Sequence, residues 1–140
     1  VTHIFGDGPM RTELEGRASE SQINFHGFVT EIASAMSAVD VVVVPSVWAE
    51  AFPFSVLEAM SLGKPVIATH RGGLPEMVKH GETGLLVEAE DALDLREAIE
   101  HLSVNRLEAA AFGNAAKADH ADNYTVPDFA NRIEKVYQSI

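Results

Sequence analysis

Two stretches, Val41-Val42-Val43-Val44 and Pro65-Val66-Ile67-Ala68-Thr69, are apolar on consecutive residues. A strand with one face in water alternates apolar and polar side chains. These do not, so both of their faces must be covered, as in a parallel sheet. Shorter strand-like runs at Val1–Phe5, Ile23–Gly27 and Gly84–Val87 alternate with helical patterns near 10–19, 31–38, 55–62 and 74–78. Pro9 suits the first turn of the first helix and Gly63 the stop of the third. The remainder reads as helix over 92–102, 106–120 and 126–140, broken at Asn123-Tyr124 and at Pro127. Alternation of this kind specifies an α/β fold: a Rossmann-like parallel sheet flanked by helices, followed by a helical C-terminal segment.

Charge and composition remove several classes. Ten Lys and Arg stand against 21 Asp and Glu, a net charge of −11, so the basic footprint that nucleic acid requires is missing. The acidic run from Glu88 to Glu100 reads as the solvated face of a helix. With no cysteine there are no disulfides, thiol nucleophiles or thiolate metal sites, which suits a cytoplasmic location. The six histidines have no ligand spacing, and His70 and His80 read as surface residues. No metal is expected. No apolar run is long enough to span a bilayer, and the acidic balance argues against direct membrane contact. At 140 residues the chain is one domain's worth, able to bury roughly two-thirds of its unfolded surface. It begins as though a strand were already under way, which suggests a fragment.

In open parallel sheets, ligands bind beyond the carboxyl ends of the strands. The loops to inspect are therefore Gly6–Pro9, Gly27–Thr30, Ser46–Phe54 and Arg71–Leu74. The third is unusual. It holds Trp48, Phe52 and Phe54, which must line a cavity or fold back on the core to avoid costly exposure. Glu50 sits among them, and Glu58 follows inside the next helix. A helix starting near Phe54 or Ser55 directs free N–H groups and its positive dipole end at the crevice, a site for an anion. Glu58, one turn in, can accept hydrogen bonds from a ribose diol; it can equally be a simple dipole partner of the helix. Glu50 can take hydroxyls of a sugar beyond the phosphates. Phosphate flanked by two such carboxylates is the layout of a nucleoside diphosphate sugar. A glycosidase pair fits less well, since nothing builds a sugar cleft around the two acids. Gly6-Asp7-Gly8 is weak alone, because the third glycine of a dinucleotide fingerprint is absent.

The string Glu50-Ala51-Phe52-Pro53-Phe54-Ser55-Val56-Leu57-Glu58-Ala59-Met60 resembles the E-x(7)-E signature of retaining glycosyltransferases of the two-lobed GT-B fold, family 4 (glycosyl transferases group 1). Further elements agree in order. Gly6-Asp7-Gly8-Pro9 with Arg11 resembles the G-D-G-P-x-R turn, Phe25-His26-Gly27-Phe28 the F-x-G-x element, and Asp40–Ser46 the A-D-v-v-x-P-S strand. Gly63–Ala68, Gly72–Glu76 and Gly81–Val87 follow as the family has them. The resemblance covers residues 1 to about 100.

The resemblance implies the C-terminal, donor-binding lobe of an enzyme that moves a sugar from a nucleoside diphosphate to a glycan, lipid or small-molecule acceptor. It implies that Glu50 is the catalytic residue contacting hydroxyls of the transferred sugar, read here as positioning the sugar and not as a nucleophile, and that Glu58 holds the ribose diol. Amides around Phe52, Pro53, Phe54 and Ser55 would meet the diphosphate or sugar. The Gly27-Phe28-Val29 turn would border the base, and Gly6, Gly72 and Gly73 would line the same site. Transfer in the family is usually metal-independent and retains anomeric configuration, so the expected small-molecule partner is the nucleotide-sugar donor, with no cofactor.

Two departures stand out. Many members carry glycine where this chain has Pro53, which offers no N–H; the Ser55 hydroxyl is the candidate replacement. The family's first strand–helix unit of this lobe, with its diphosphate-clamping Arg and Lys, would precede Val1, as would the acceptor lobe. That missing N-terminal lobe is the expected partner and the expected seat of any peripheral membrane contact, and the chain alone is not expected to turn over. A nucleotide-sugar epimerase of the same architecture and a non-catalytic nucleotide-sugar-binding module are the alternatives. The last helix carries Phe129, Ile133, Val136, Tyr137 and Ile140 at helical spacing and is expected to pack on its own lobe, self-association being the other option.

Overall fold

The consecutive apolar residues of the middle of the chain do form its most buried strand. In the computed structural model, which describes residues 1–18 and 22–139, all four residues of Val66–Thr69 are buried. The expected helix end at Ser19 and Ile140 of the C-terminal stripe lie outside the described residues.

The chain divides into two units, Val1–Ile32 and Ala33–Ile140. In the first, β1 (Thr2–Phe5) pairs in parallel with β2 (Ile23–Gly27), with α1 (Arg11–Arg17) between them in sequence. Pro9 does not open α1, as its φ preference suggested; it lies in the turn before it, and Met10 occupies the N-cap. Parallel pairing sends the loops after β1 and β2 off the same end. There they meet: the Gly6 amide donates to the Gly27 carbonyl at 2.7 Å, and both glycines have positive φ. The Arg11 guanidinium donates to Glu15 at 2.8 Å and lies 3.5 Å from both an Asp7 carboxylate oxygen and the Phe25 carbonyl. The Glu15 hydrogen bond, above all, raises its already high pKa.

The second unit contains α2 (Ile32–Ser37, entered from the first), β3 (Val42–Val44), α3 (Phe54–Ser61), β4 (Val66–Thr69), α4 (Leu74–Met77) and β5 (Gly84–Val87). The helices α5 (Ala92–Val104), α6 (Arg106–Asn123) and α7 (Val126–Gln138) follow. Its sheet is wholly parallel, in the order β3-β4-β5. The expected parallel pairing is thus present, divided between a two-stranded and a three-stranded sheet.

Central β4 is covered on both sides. Ile67 packs with Val87 of β5, Ala98 and Leu102 of α5, and Ala109 and Phe112 of α6. Strand alternation points Val66 and Ala68 the other way, and both are fully buried as well. Helix α3 adds Val56, Ala59 and Met60, each buried, to the core. Full burial of side chains such as Val56 and Met60 contributes about 1.5–3 kcal/mol apiece. As expected, α3 stops at a glycine: Gly63 has φ +70°, and its amide donates to the Met60 carbonyl at 2.9 Å. The neighbouring Lys64 ammonium donates to the carbonyls of Ser37 and Val39, tying off the end of α2.

Two stretches differ from expectation in use. The acidic run is largely exposed, yet Asp91 caps α5 by accepting from the Leu93 and Asp94 amides, and Asp94 accepts from Glu88. Near the C-terminus, α6 runs on to Asn123, and Pro127 sits inside the first turn of α7, where its missing N–H is harmless. Helix α7 does not pack on its own lobe as expected. None of its described residues is buried, and Phe129, Val136 and Tyr137 are exposed by 68%, 57% and 75%. Its apolar spacing is genuine, but among the described residues that face stays exposed. No helix among the described residues is long and apolar enough to cross a membrane.

Candidate functional site

Strands β3 and β4 are parallel neighbours, so the loops that follow them, 45–53 and 70–73, leave the same edge of the sheet. Their backbones are stitched together. The Thr69 hydroxyl donates to the Ser46 carbonyl at 2.6 Å, and the Gly73 amide donates to the Glu50 carbonyl at 2.7 Å. A Cβ on Gly72 would overlap the Glu50 backbone, and one on Gly73 would overlap the Ala51 carbonyl. Gly72 also has φ +53°, which side-chain-bearing residues avoid. Two glycines are needed here because the neighbouring loop occupies the space of their side chains.

This contact holds Glu50 half-buried at the strand ends. The Ser46 hydroxyl donates to its Oε1, and among the described residues Oε2 takes no hydrogen bond. One carboxylate oxygen is therefore anchored while the other is left for an outside donor.

Helix α3 begins at Phe54, and Pro53 is its buried N-cap, extended at φ −70° and ψ 119°. No side chain caps this end. Among the described residues nothing accepts from the Phe54 or Ser55 amides, and the Ser55 hydroxyl has no partner; the Val56 amide turns back to the Pro53 carbonyl at 3.2 Å. Glu58, one turn further, is half-buried, and its carboxylate has no hydrogen bond or ion pair among the described residues. Amide donors at a positive helix end, with an unengaged carboxylate one turn away, can bind an anion and a diol side by side.

The aromatics resolve differently from either expectation. Trp48, Phe52 and Phe54 do not enter the core; they are 66%, 48% and 74% exposed. Phe52 and Phe54 meet edge to face with centroids 6.5 Å apart, and Phe52 lies 6.1 Å from the ring of Tyr124. They form an apolar rim on the loop that carries Glu50.

The remaining expected site residues, Gly6, Gly27, Phe28 and Val29, belong to the first unit, at the carboxyl ends of β1 and β2. Phe28 is 82% exposed and Val29 half-buried. His70 and His80 are exposed as expected, though His80 is engaged, its Nδ1 accepting the Leu86 amide at 3.0 Å. Among the described residues no group of three or more His, Asp and Glu could hold a metal ion. The sequence reading assigned no role to Ser46, Thr69 or Tyr124. Ser46, four residues before Glu50 in the same loop, was within reach of a local argument; Tyr124, distant in sequence, was not.

Parallel sheets flanked by helices, followed by a helical C-terminal segment, make a Rossmann-like lobe of the GT-B architecture. The chain belongs to the glycosyl transferases group 1 family, whose sequence profile matches residues 1–105. It is 40% identical over 107 residues to a D-inositol 3-phosphate glycosyltransferase of Corynebacterium diphtheriae, covering 76% of this chain and 25% of that one. It is 31% identical over 140 residues to the lipopolysaccharide core biosynthesis mannosyltransferase LpsB of Rhizobium meliloti, covering 99% and 40%. Among solved structures, Anabaena HepE in complex with UDP superimposes with a TM-score of 0.91 at 28% identity, over 100% of this chain and 41% of that one. HepE has also been solved with UDP-glucose, matching at a TM-score of 0.87 over 99% and 40%. This chain thus spans between a quarter and about two-fifths of the length of these relatives.

Proposed function

We propose that this chain is the donor-binding, C-terminal lobe of a retaining glycosyltransferase that transfers a sugar from a nucleoside diphosphate sugar to an acceptor. The observation that carries the reading is the start of α3: unpartnered Phe54 and Ser55 amides stand between the half-anchored Glu50 and the unengaged Glu58. The likeness to HepE, solved with UDP and with UDP-glucose, supports it. In this reading the amides receive the diphosphate, Glu58 the ribose diol and Glu50 the hydroxyls of the transferred sugar. Gly72 and Gly73 hold the loop that presents Glu50.

Pro53, the N-cap, donates no N–H, which leaves the Phe54 and Ser55 amides as the donors at this helix start. The Ser55 hydroxyl is free to add a bond. The lobe's own contribution to catalysis is to position the donor and stabilise the departing diphosphate, with Glu50 orienting the sugar. An acceptor-binding lobe is required for turnover, and this chain alone binds donor without transferring it.

The test is a calorimetric or thermal-shift titration with UDP, GDP and ADP, and with their sugar conjugates, beside Glu58→Ala. A ligand at a hundred times its Kd stabilises by about 2.7 kcal/mol, so weak binding registers. Binding of one nucleotide that is lost in Glu58→Ala supports the reading. Equal affinity in the variant rules out the ribose role of Glu58, and silence toward every nucleotide, in this chain and in a two-lobed protein containing it, overturns the donor lobe.

A further inference from the structure

Tyr124 stands at the junction of α6 and α7, far in sequence from the loop of Glu50, yet it meets that loop at Phe52 and reaches α4, the helix after the second loop, at Glu76. Its amide closes α6 on the His120 carbonyl at 3.0 Å, which fixes the backbone. Its hydroxyl donates to the Glu76 carbonyl in α4 at 3.0 Å. That helix follows directly on Gly72-Gly73, the pair lying against the Glu50 and Ala51 backbone. The other side of the contact is aromatic: the Tyr124 and Phe52 rings are 6.1 Å apart and tilted by 41°. Phe52 lies between Glu50 and the uncapped start of α3. Among the described residues, Phe52 meets two rings, that of Phe54 at the start of α3 and that of Tyr124.

We infer that Tyr124 is a positioning residue of the donor site, clamping the loop of Glu50 and Phe52 to α4 from the α6–α7 junction. The inference rests on the donor-site reading for its functional meaning; the clamp itself rests on the two contacts. A half-exposed loop with few core contacts opens locally at little cost, and its amides can meet a diphosphate only if their geometry is held beforehand. Tyr124 acts through Phe52 and Glu76 without touching the donor. It extends the site to a helix junction beyond residues 1–105, where the family profile ends.

The experiment compares the unmodified chain with Tyr124→Ala, Tyr124→Phe and Tyr137→Ala, the last removing an exposed tyrosine from α7. Two quantities are read: amide hydrogen exchange at Val56 and Gly73, whose amides donate to the loop carbonyls of Pro53 and Glu50, against that of β4, and the Kd for UDP, GDP and ADP. Tyr124→Ala is expected to accelerate exchange in the loop while β4 keeps its protection. It should weaken nucleotide binding roughly three- to tenfold, the range a lost aromatic pair produces. Tyr124→Phe, which keeps the ring on Phe52, should recover most of the affinity, and Tyr137→Ala should change neither quantity. Unchanged loop exchange in Tyr124→Ala overturns the clamp, as does an equal loss of protection in β4, which would make Tyr124 a general support of the fold. If the unmodified chain binds none of the three nucleotides while loop exchange still responds to Tyr124→Ala, the donor-site reading fails and the clamp stands.

Discussion

The amide of Gly73 donates to the carbonyl of Glu50 at 2.7 Å, so the loop after β4 carries the loop after β3 at the edge of the sheet. The contact is close enough that neither Gly72 nor Gly73 has room for a Cβ.

Gly73→Ala should therefore force the 50–51 backbone away. Overpacking of this kind costs about 1–3 kcal/mol, to be read as a fall in the urea midpoint at constant m. Donor affinity should fall with it, because Glu50 and the start of α3 move together. A change below about 0.5 kcal/mol would show that the loop yields freely and does not depend on the glycine pair.

Ser46→Ala releases the anchored oxygen of Glu50. The site is half-exposed, so stability should change by no more than about 1 kcal/mol. In a two-lobed, active enzyme the same change should lower kcat more than it raises the donor KM, since Glu50 is proposed to orient the transferred sugar. A loss confined to KM would reassign Glu50 to ground-state binding alone.

Met60 and Phe129 are both large, apolar and helical, yet Met60 is fully buried on α3 and Phe129 lies open on α7. Met60→Ala should cost about 2–5 kcal/mol, by transfer and cavity terms together. Phe129→Ala should stay within about 0.5 kcal/mol. Comparable losses in chemical denaturation would mean that α7 packs in solution.

Alkaline pH should destabilise the α6–α7 junction. Burial, reinforced by the charge of Asp119, pushes the Tyr124 phenol above its ordinary value. The hydrogen bond to Asp119 at 2.7 Å, ahead of all other causes, raises the Lys79 ammonium. For the tyrosine, the folded state holds its proton longer than the unfolded one, so stability falls as pH rises past the unfolded value of about 10. For the lysine, the stabilisation is full below its unfolded value of about 10.4 and is lost as pH rises through the folded value. Both act in the same direction. Urea midpoints measured between about pH 8 and 11 should decline above pH 10, and less steeply in Tyr124→Phe. Parallel profiles would remove Tyr124 from the cause.

Much of this arrangement follows from local sequence. The run at 65–69 required coverage on both faces and has it, and the helix stop at Gly63 is where it was expected; of the unalternating valines at 41–44, only Val44 is buried, on an edge strand, and the other three are half-buried. The helix start at Phe54 was legible, and Glu50 and Glu58 were legible as candidate site residues, because a dipole end, its amides and a carboxylate one turn away lie within a few residues of one another. Pro9 was misplaced by one turn because proline's fixed φ suits a turn as well as a helix start.

The C-terminal region was less legible for a different reason. Helical spacing established the apolar stripe of α7, but amphipathicity states only that a face is apolar, not that a core exists to receive it. The aromatics of the Ser46–Phe54 loop posed the same problem, and the structure leaves them at the rim.

The chain's own sequence thus determined the parallel strands, their loops and the chemical character of the proposed donor site, since each depends on the periodicity and side chains of a short segment. Tertiary structure alone decided that Gly72 and Gly73 brace Glu50, that Tyr124 reaches Phe52 and Glu76, and that α7 stays open. Those relationships join residues about twenty to seventy positions apart. Distances between such residues are set by packing and not by any local rule.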